Sequence, residues 1–155
     1  MSVKFGTNLQ SIEAPKPIPN GDYELRLVDL TRDTNSKGTG ENIITTHQII
    51  NDPEVGGRQI KNWMGIPEEG DEKRDVPSMG LKDDGSAYTI LDLKALRFKQ
   101  FCEAHSLEFD PENIPDSKEE AIQAGWINAT SIASVKQRVN KESGDSYPTI
   151  ARFKY

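Results

Sequence analysis

Apolar residues alternate with polar ones over five stretches of this chain and take helical spacing between the third and the fourth. From Gly21 to Leu30, Tyr23, Leu25 and Leu27 alternate with Glu24 and Arg26, which predicts a half-buried strand. Val28 and Leu30 then fall on the other parity. That predicts a bulge, or a strongly coiled strand shared between two sides of a small barrel. Thr31 to Gly40 is rich in turn formers. Asn42 to Ile50 reads as a second strand, β-branched at Ile43, Ile44, Thr45, Thr46, Ile49 and Ile50. Asn51-Asp52-Pro53 opens a turn that ends at Gly56-Gly57, and Arg58 to Met64 is the third strand.

Residues 66–88 form an acidic loop, punctuated by Pro67, Gly70, Pro77, Gly80 and Gly85, too polar to bury a core face and expected to be mobile. Leu91 to His105 then shows a helical apolar face through Leu93, Leu96, Phe98, Phe101 and Cys102. Ser117-Lys118-Glu119-Glu120 is a capping box, and Gly125 stands where that short helix would close. Trp126 to Val139 alternates again and predicts strand four. Asn140 to Ser146 is a loop, and Tyr147 to Tyr155 is a last strand. Residues 1–20 end in alternate prolines, an extended arm that packs along an edge or exchanges within a dimer. The fold expected is one mainly β domain over residues 1–155 with a helical insertion (α+β). The element order suits a five-stranded OB-like Greek-key barrel whose helix lies between strands three and four. A β-sandwich does not usually place two helices there.

Composition refines this picture. The chain has 155 residues, of which 34% are hydrophobic, so the core is modest and the loops are solvated. Cys102 is the only cysteine and reads as a small core residue. No stretch approaches the roughly 18 apolar residues of a membrane span, and the N-terminus lacks an apolar signal core, so the expected location is a cytoplasm. Without such a signal, the glycosylation triplet Asn128-Ala129-Thr130 carries no weight. The formal charge of −6 is unevenly spread: residues 1–65 hold 7 basic and 8 acidic side chains, residues 66–125 hold 7 and 15, and residues 126–155 hold 5 and 2. The strand-bearing segments are therefore near neutral or basic while the helical region is acidic. A basic face on an acidic body is compatible with nucleic acid.

Catalytic and metal signals are weak. Gly38-Thr39-Gly40 lacks the Gly-Lys-Ser/Thr ending of a phosphate loop. The run from Asp33 begins like a calcium loop but places Lys37 where an oxygen ligand belongs and Ile44 at the twelfth position. His47, His105 and Cys102 show no paired ligand spacing. No enzyme, metal or cofactor is expected. A binding face is better supported. In an OB barrel, strands two and three and the loops joining strands 1–2 and 4–5 form the nucleic-acid groove. Those pieces hold Arg32, Lys37, Arg58, Lys61, Trp63, Lys136, Arg138, Lys141 and Tyr147. Lys61 and Trp63 are two apart, so on a strand they share a face and offer charge beside a ring. Against this, either tryptophan could be core, Lys136 and Arg138 could be a plain solvent face, and Gly56-Gly57 could be turn geometry alone.

Pro17-Ile18-Pro19-Asn20-Gly21-Asp22-Tyr23 entering strand one, Ser36-Lys37-Gly38 before a β-branched strand, Gly57-Arg58 entering strand three, and the ending Phe153-Lys154-Tyr155 resemble one family. It is that of the small bacteriophage proteins of replication and recombination modules, over about residues 17–155. The resemblance implies an OB-fold, sequence-independent single-stranded DNA-binding protein without a cofactor. It would act in the cytoplasm of the bacterial host, with phage replication or recombination proteins as further partners. Many such proteins end in an acidic, partner-recruiting tail; this sequence ends Ala151-Arg152-Phe153-Lys154-Tyr155, so either the acidic 66–88 segment takes that role or the role is absent. The rival expectations are a protein-interaction or host-inhibitor module that does not bind nucleic acid, and a virion structural protein.

Overall fold

The computed structural model describes residues 2–6, 9, 11–34, 38 and 40–154. Five strands form one antiparallel sheet: β1 (Gly21–Thr34), β2 (Glu41–Ile50), β3 (Gln59–Gly65), β4 (Thr130–Val139) and β5 (Ser146–Lys154), hydrogen-bonded in the order β3-β2-β1-β4-β5. Helices α1 (Ile90–Ala104) and α2 (Lys118–Gln123) fall between β3 and β4 in the chain. The fold is thus mainly β with a helical insertion. β3 and β5 are the two ends of the hydrogen-bonded order, yet the sheet curls enough to bring them within 8 Å, Cα to Cα.

The parity switch in β1 is a bulge. Leu27 pairs with His47 and Asp29 with Thr46, which leaves Val28 as the extra residue. The insertion keeps Leu30 on the inner side with Leu25 and Leu27, and all three are buried. β1 thereby feeds two core clusters. Leu27 and Leu30 pack with Ile43, Met64, Phe98, Phe101, Cys102 and Trp126, whereas Leu25 packs with Ile18, Ile49, Val55, Ile60, Ala133 and Val135. Phe153 of β5 packs against both. A second bulge in β5, where Ser134 pairs with Arg152 and Val135 with Ile150, leaves Ala151 extra.

Three expectations need correction. β4 begins at Thr130, not Trp126. Gly125 (φ 79°) and Asn128 (φ 74°) turn the chain between α2 and the strand, and Trp126 is buried in that turn with its N–H donated to the Ala121 carbonyl at 2.8 Å. The Ser117 capping box is only half formed. Ser117 Oγ accepts from Glu120 N at 3.2 Å, but Glu120 Oε2 accepts from Asp116 N at 3.0 Å. The complete box belongs to α1, where Thr89 Oγ1 accepts from Asp92 N at 3.2 Å and Asp92 Oδ2 accepts from Thr89 N at 2.9 Å.

The third correction concerns residues 66–88, which are not a structureless loop. They contain the 3-10 turns Asp71–Lys73 and Pro77–Met79 and the bridges Asp75 to Thr89 and Leu81 to Ala87. Their anchor is Asp71, which is fully buried. It accepts from Lys94 Nζ and from Glu68 N at 2.8 Å each and pairs with Arg74. Lys94 foremost, with the Glu68 N–H next, holds its carboxyl well below the usual carboxylate range. Lys94 also donates to the Ile66 carbonyl at 2.9 Å, so one ammonium from α1 pins both ends of the first turn.

The arm before β1 packs on its own chain. Ile18 is buried in the second cluster, Gln137 Nε2 donates to its carbonyl at 3.0 Å, and Tyr23 Oη donates to the Pro19 carbonyl at 2.6 Å. At the β2–β3 turn a Cβ on Gly56 would meet the Asp52 carbonyl oxygen at 2.5 Å, so only glycine fits there.

Candidate functional site

β3 alternates cleanly, with Ile60 and Met64 buried and Lys61 and Trp63 exposed on the opposite side. Trp63 is 52% exposed, an unusual position for the largest apolar ring available. The register continues this face across the sheet. Trp63 pairs with Ile44 and Ile44 with Thr31; Lys61 pairs with Thr46 and Thr46 with Asp29. Lys61 thus borders a shallow depression shared with Asp29 and with Lys118 of α2.

The other residues singled out from the sequence divide into three groups. Lys136 and Arg138 are exposed on β4, Lys141 lies in the following turn, and Tyr147 faces Arg138 on β5 at 42% exposure. Arg138 Nε donates to Thr149 Oγ1 at 3.2 Å. These four form one basic, aromatic hairpin, on a different ladder from Lys61 and Trp63. Arg32 and Arg58 are held by their own chain. Arg32 donates to Glu41 at 2.5 Å and to Asp116 at 3.2 Å, and the Glu41 contact foremost raises its already high pKa. Arg58 is half-buried and donates through Nη1 to the Lys16 carbonyl at 2.5 Å, which ties down the arm. Lys37 lies outside the described residues.

Where β3 and β5 approach each other, α1 closes the end of a cleft of about 350 Å³. Its polar lining is Asn62, Arg97, Gln100 and Arg152, and its apolar lining includes Trp63, Phe101 and Phe153. Arg97, Gln100 and Arg152 were not singled out from the sequence. Their i, i+3 spacing puts Arg97 and Gln100 on one helix face, at the exposed edge of the apolar stripe, with Phe101 four residues on from Arg97. Arg152 follows the bulge at Ala151, which shifts its register against β4.

Beneath the cleft lies a packed aromatic group. The ring of His47 lies 5.4 Å from that of His105 and 5.4 Å from that of Phe153, and the rings of Phe101 and His105 are 4.1 Å apart. His105 donates from Nδ1 to the Phe101 carbonyl at 2.7 Å, and His47 Nε2 lies 2.8 Å from Thr45 Oγ1. Burial foremost, with the neighbouring His105, pushes the His47 pKa down to about 3, and burial lowers that of His105. Both are neutral packing groups. Cys102 is buried beside them, and burial pushes its thiol up to about 11, far from a reactive thiolate. Among the described residues no three His, Cys, Asp or Glu side chains are grouped to hold a metal ion, and no helix is long and apolar enough to cross a membrane.

Comparison of the chain with protein-family models and with curated proteins finds no match.

Proposed function

We propose that this protein is an OB-fold, sequence-independent single-stranded DNA-binding protein, acting in phage replication or recombination within a bacterial host. The strand order, with β3 and β5 curled toward each other and α1 between β3 and β4 in the chain, supports an OB barrel left open at one seam. The observation that carries the function is Trp63. A half-exposed indole stands beside Lys61 on a strand whose alternate residues fill the core, and nothing in the fold requires a tryptophan there. Exposed rings flanked by cations bind single strands by base stacking and phosphate neutralisation, without reading sequence. Lys61 and the Lys136, Arg138, Lys141 and Tyr147 hairpin flank the path, while Arg32 and Arg58 serve the scaffold.

Fluorescence titration with poly-dT at two salt concentrations tests this. The expected result is quenching at low salt, with affinity falling steeply as salt rises. Absence of binding at low salt would leave the protein-interaction module as the better account.

A further inference from the structure

We propose that the cleft between β3, β5 and α1 seats one nucleotide of the bound strand, its base against Trp63 and its phosphate between Arg97 and Arg152; this rests on the single-strand reading and names a site for it. The decisive observation is the cleft's charge. The chain carries 25 acidic residues, yet no aspartate or glutamate lines this cleft. Three other cavities contain acid: Asp116 lines one, Glu41, Glu68 and Glu69 another, and Asp29 a third. Among the described residues Arg32, Arg74, Lys82, Lys94 and Lys154 pair with a carboxylate; Arg97 and Arg152, like most of the cations, do not, and these two share one lining without acid. Among the described residues, two guanidiniums without a carboxylate partner thus line the same cleft as an exposed indole.

The remaining lining fits the same ligand. Guanidiniums match phosphate oxygens in planar, two-pronged fashion, and the Asn62 and Gln100 amides offer donors and acceptors to a base edge. Phe101 and Phe153, packed edge to face with ring centroids 5.4 Å apart, form the floor, and His47 and His105 pack behind them. The volume of about 350 Å³ lies at the lower end of the range for small-ligand pockets, right for one unit of a strand that continues beyond the cleft. The seam is open because β3 and β5 end the hydrogen-bonded order, so a strand can lie across it without breaking a ladder.

The test is anisotropy titration of fluorescein-labelled dT12 across a salt series. It compares the parent protein, Arg97→Ala/Arg152→Ala and, as a control for charge alone, Lys73→Ala/Lys99→Ala. The cleft variant should bind more weakly at every salt and lose about two units of salt slope, while the control keeps the parent slope. Trp63→Ala should weaken binding by about 5- to 150-fold. All altered side chains are solvent-exposed, and circular dichroism confirms that each variant is folded. A cleft variant that matches the control or the parent would overturn the assignment and leave the single-strand reading standing. A parent that does not bind dT12 would overturn that reading and, with it, this site.

Discussion

Two clefts flank α1, and each has arginine in its lining. One, of about 210 Å³, is lined by Ile43, Ile66, Leu91, Phe98, Phe109 and Ile114, and its Arg32 is bound by Glu41 and Asp116. The other, between β3 and β5, holds Arg97 and Arg152 with no acid in its lining. The same side chain is structural in the first and available to a ligand in the second. A cation's place in the sequence says little about its role; what sits within hydrogen-bond reach decides it. Single exposed ion pairs add little stability, so Arg32 matters more for being neutralised than for what it stabilises.

The largest expected effect lies where a charge is most completely enclosed. Asp71→Ala leaves Lys94 without its buried partner, so it should cost about 3–5 kcal/mol and unravel the 66–88 segment together with its dock on α1. Chemical denaturation measures the loss. A change within about 0.5 kcal/mol would mean that the pair does not anchor the segment.

The floor of the acid-free cleft gives the next effect. Folded His47 stays neutral down to about pH 3, while its unfolded counterpart takes a proton near pH 6.5. The folded pKa is the lower one, so stability is complete above about pH 6.5 and falls as pH drops toward 3. The loss at pH 5 is about 2 kcal/mol from His47, and His105 adds to it in the same direction. Asp71, whose folded pKa is also depressed, loses its contribution only below the usual carboxylate range, so the window from pH 5 to 6.5 belongs to the histidines. Denaturation midpoints at pH 7 and 5 test the sign. His47→Gln should flatten the dependence, and an equally steep loss in that variant would place the titration elsewhere.

The smallest effect sharpens the comparison itself. Arg32→Ala removes a cation already neutralised by two carboxylates, so the salt slope of oligonucleotide binding should stay at the parent value. A drop of about one unit would show Arg32 leaving its partners for phosphate.

What the sequence made legible follows the range of the interactions. The alternation of β1 and its switch at Val28 is a local signal, and it reported the bulge correctly. The i, i+2 spacing of Lys61 and Trp63 likewise reported a shared face. Trp126 misled because Ile127 and Ala129, although part of a turn, keep a strand-like rhythm up to Thr130. Residues 66–88 misled because Lys94, the partner of their anchor Asp71, lies 23 positions away and cannot be seen in local composition. The partners of Arg32 and Arg58 were hidden for the same reason, since Asp116 and Lys16 lie 84 and 42 positions away. The cleft was invisible because three separate elements build it, and only the curl of the sheet brings them together.

The most direct test of the central claim uses the two tryptophans against each other. Trp126→Phe leaves the exposed Trp63 as the sole emitter, and Trp63→Phe leaves the buried Trp126. On titration with poly-dT at low salt, the Trp63-only protein should be quenched and the Trp126-only protein silent. Quenching confined to the Trp126-only protein, or no quenching in either, would contradict the account.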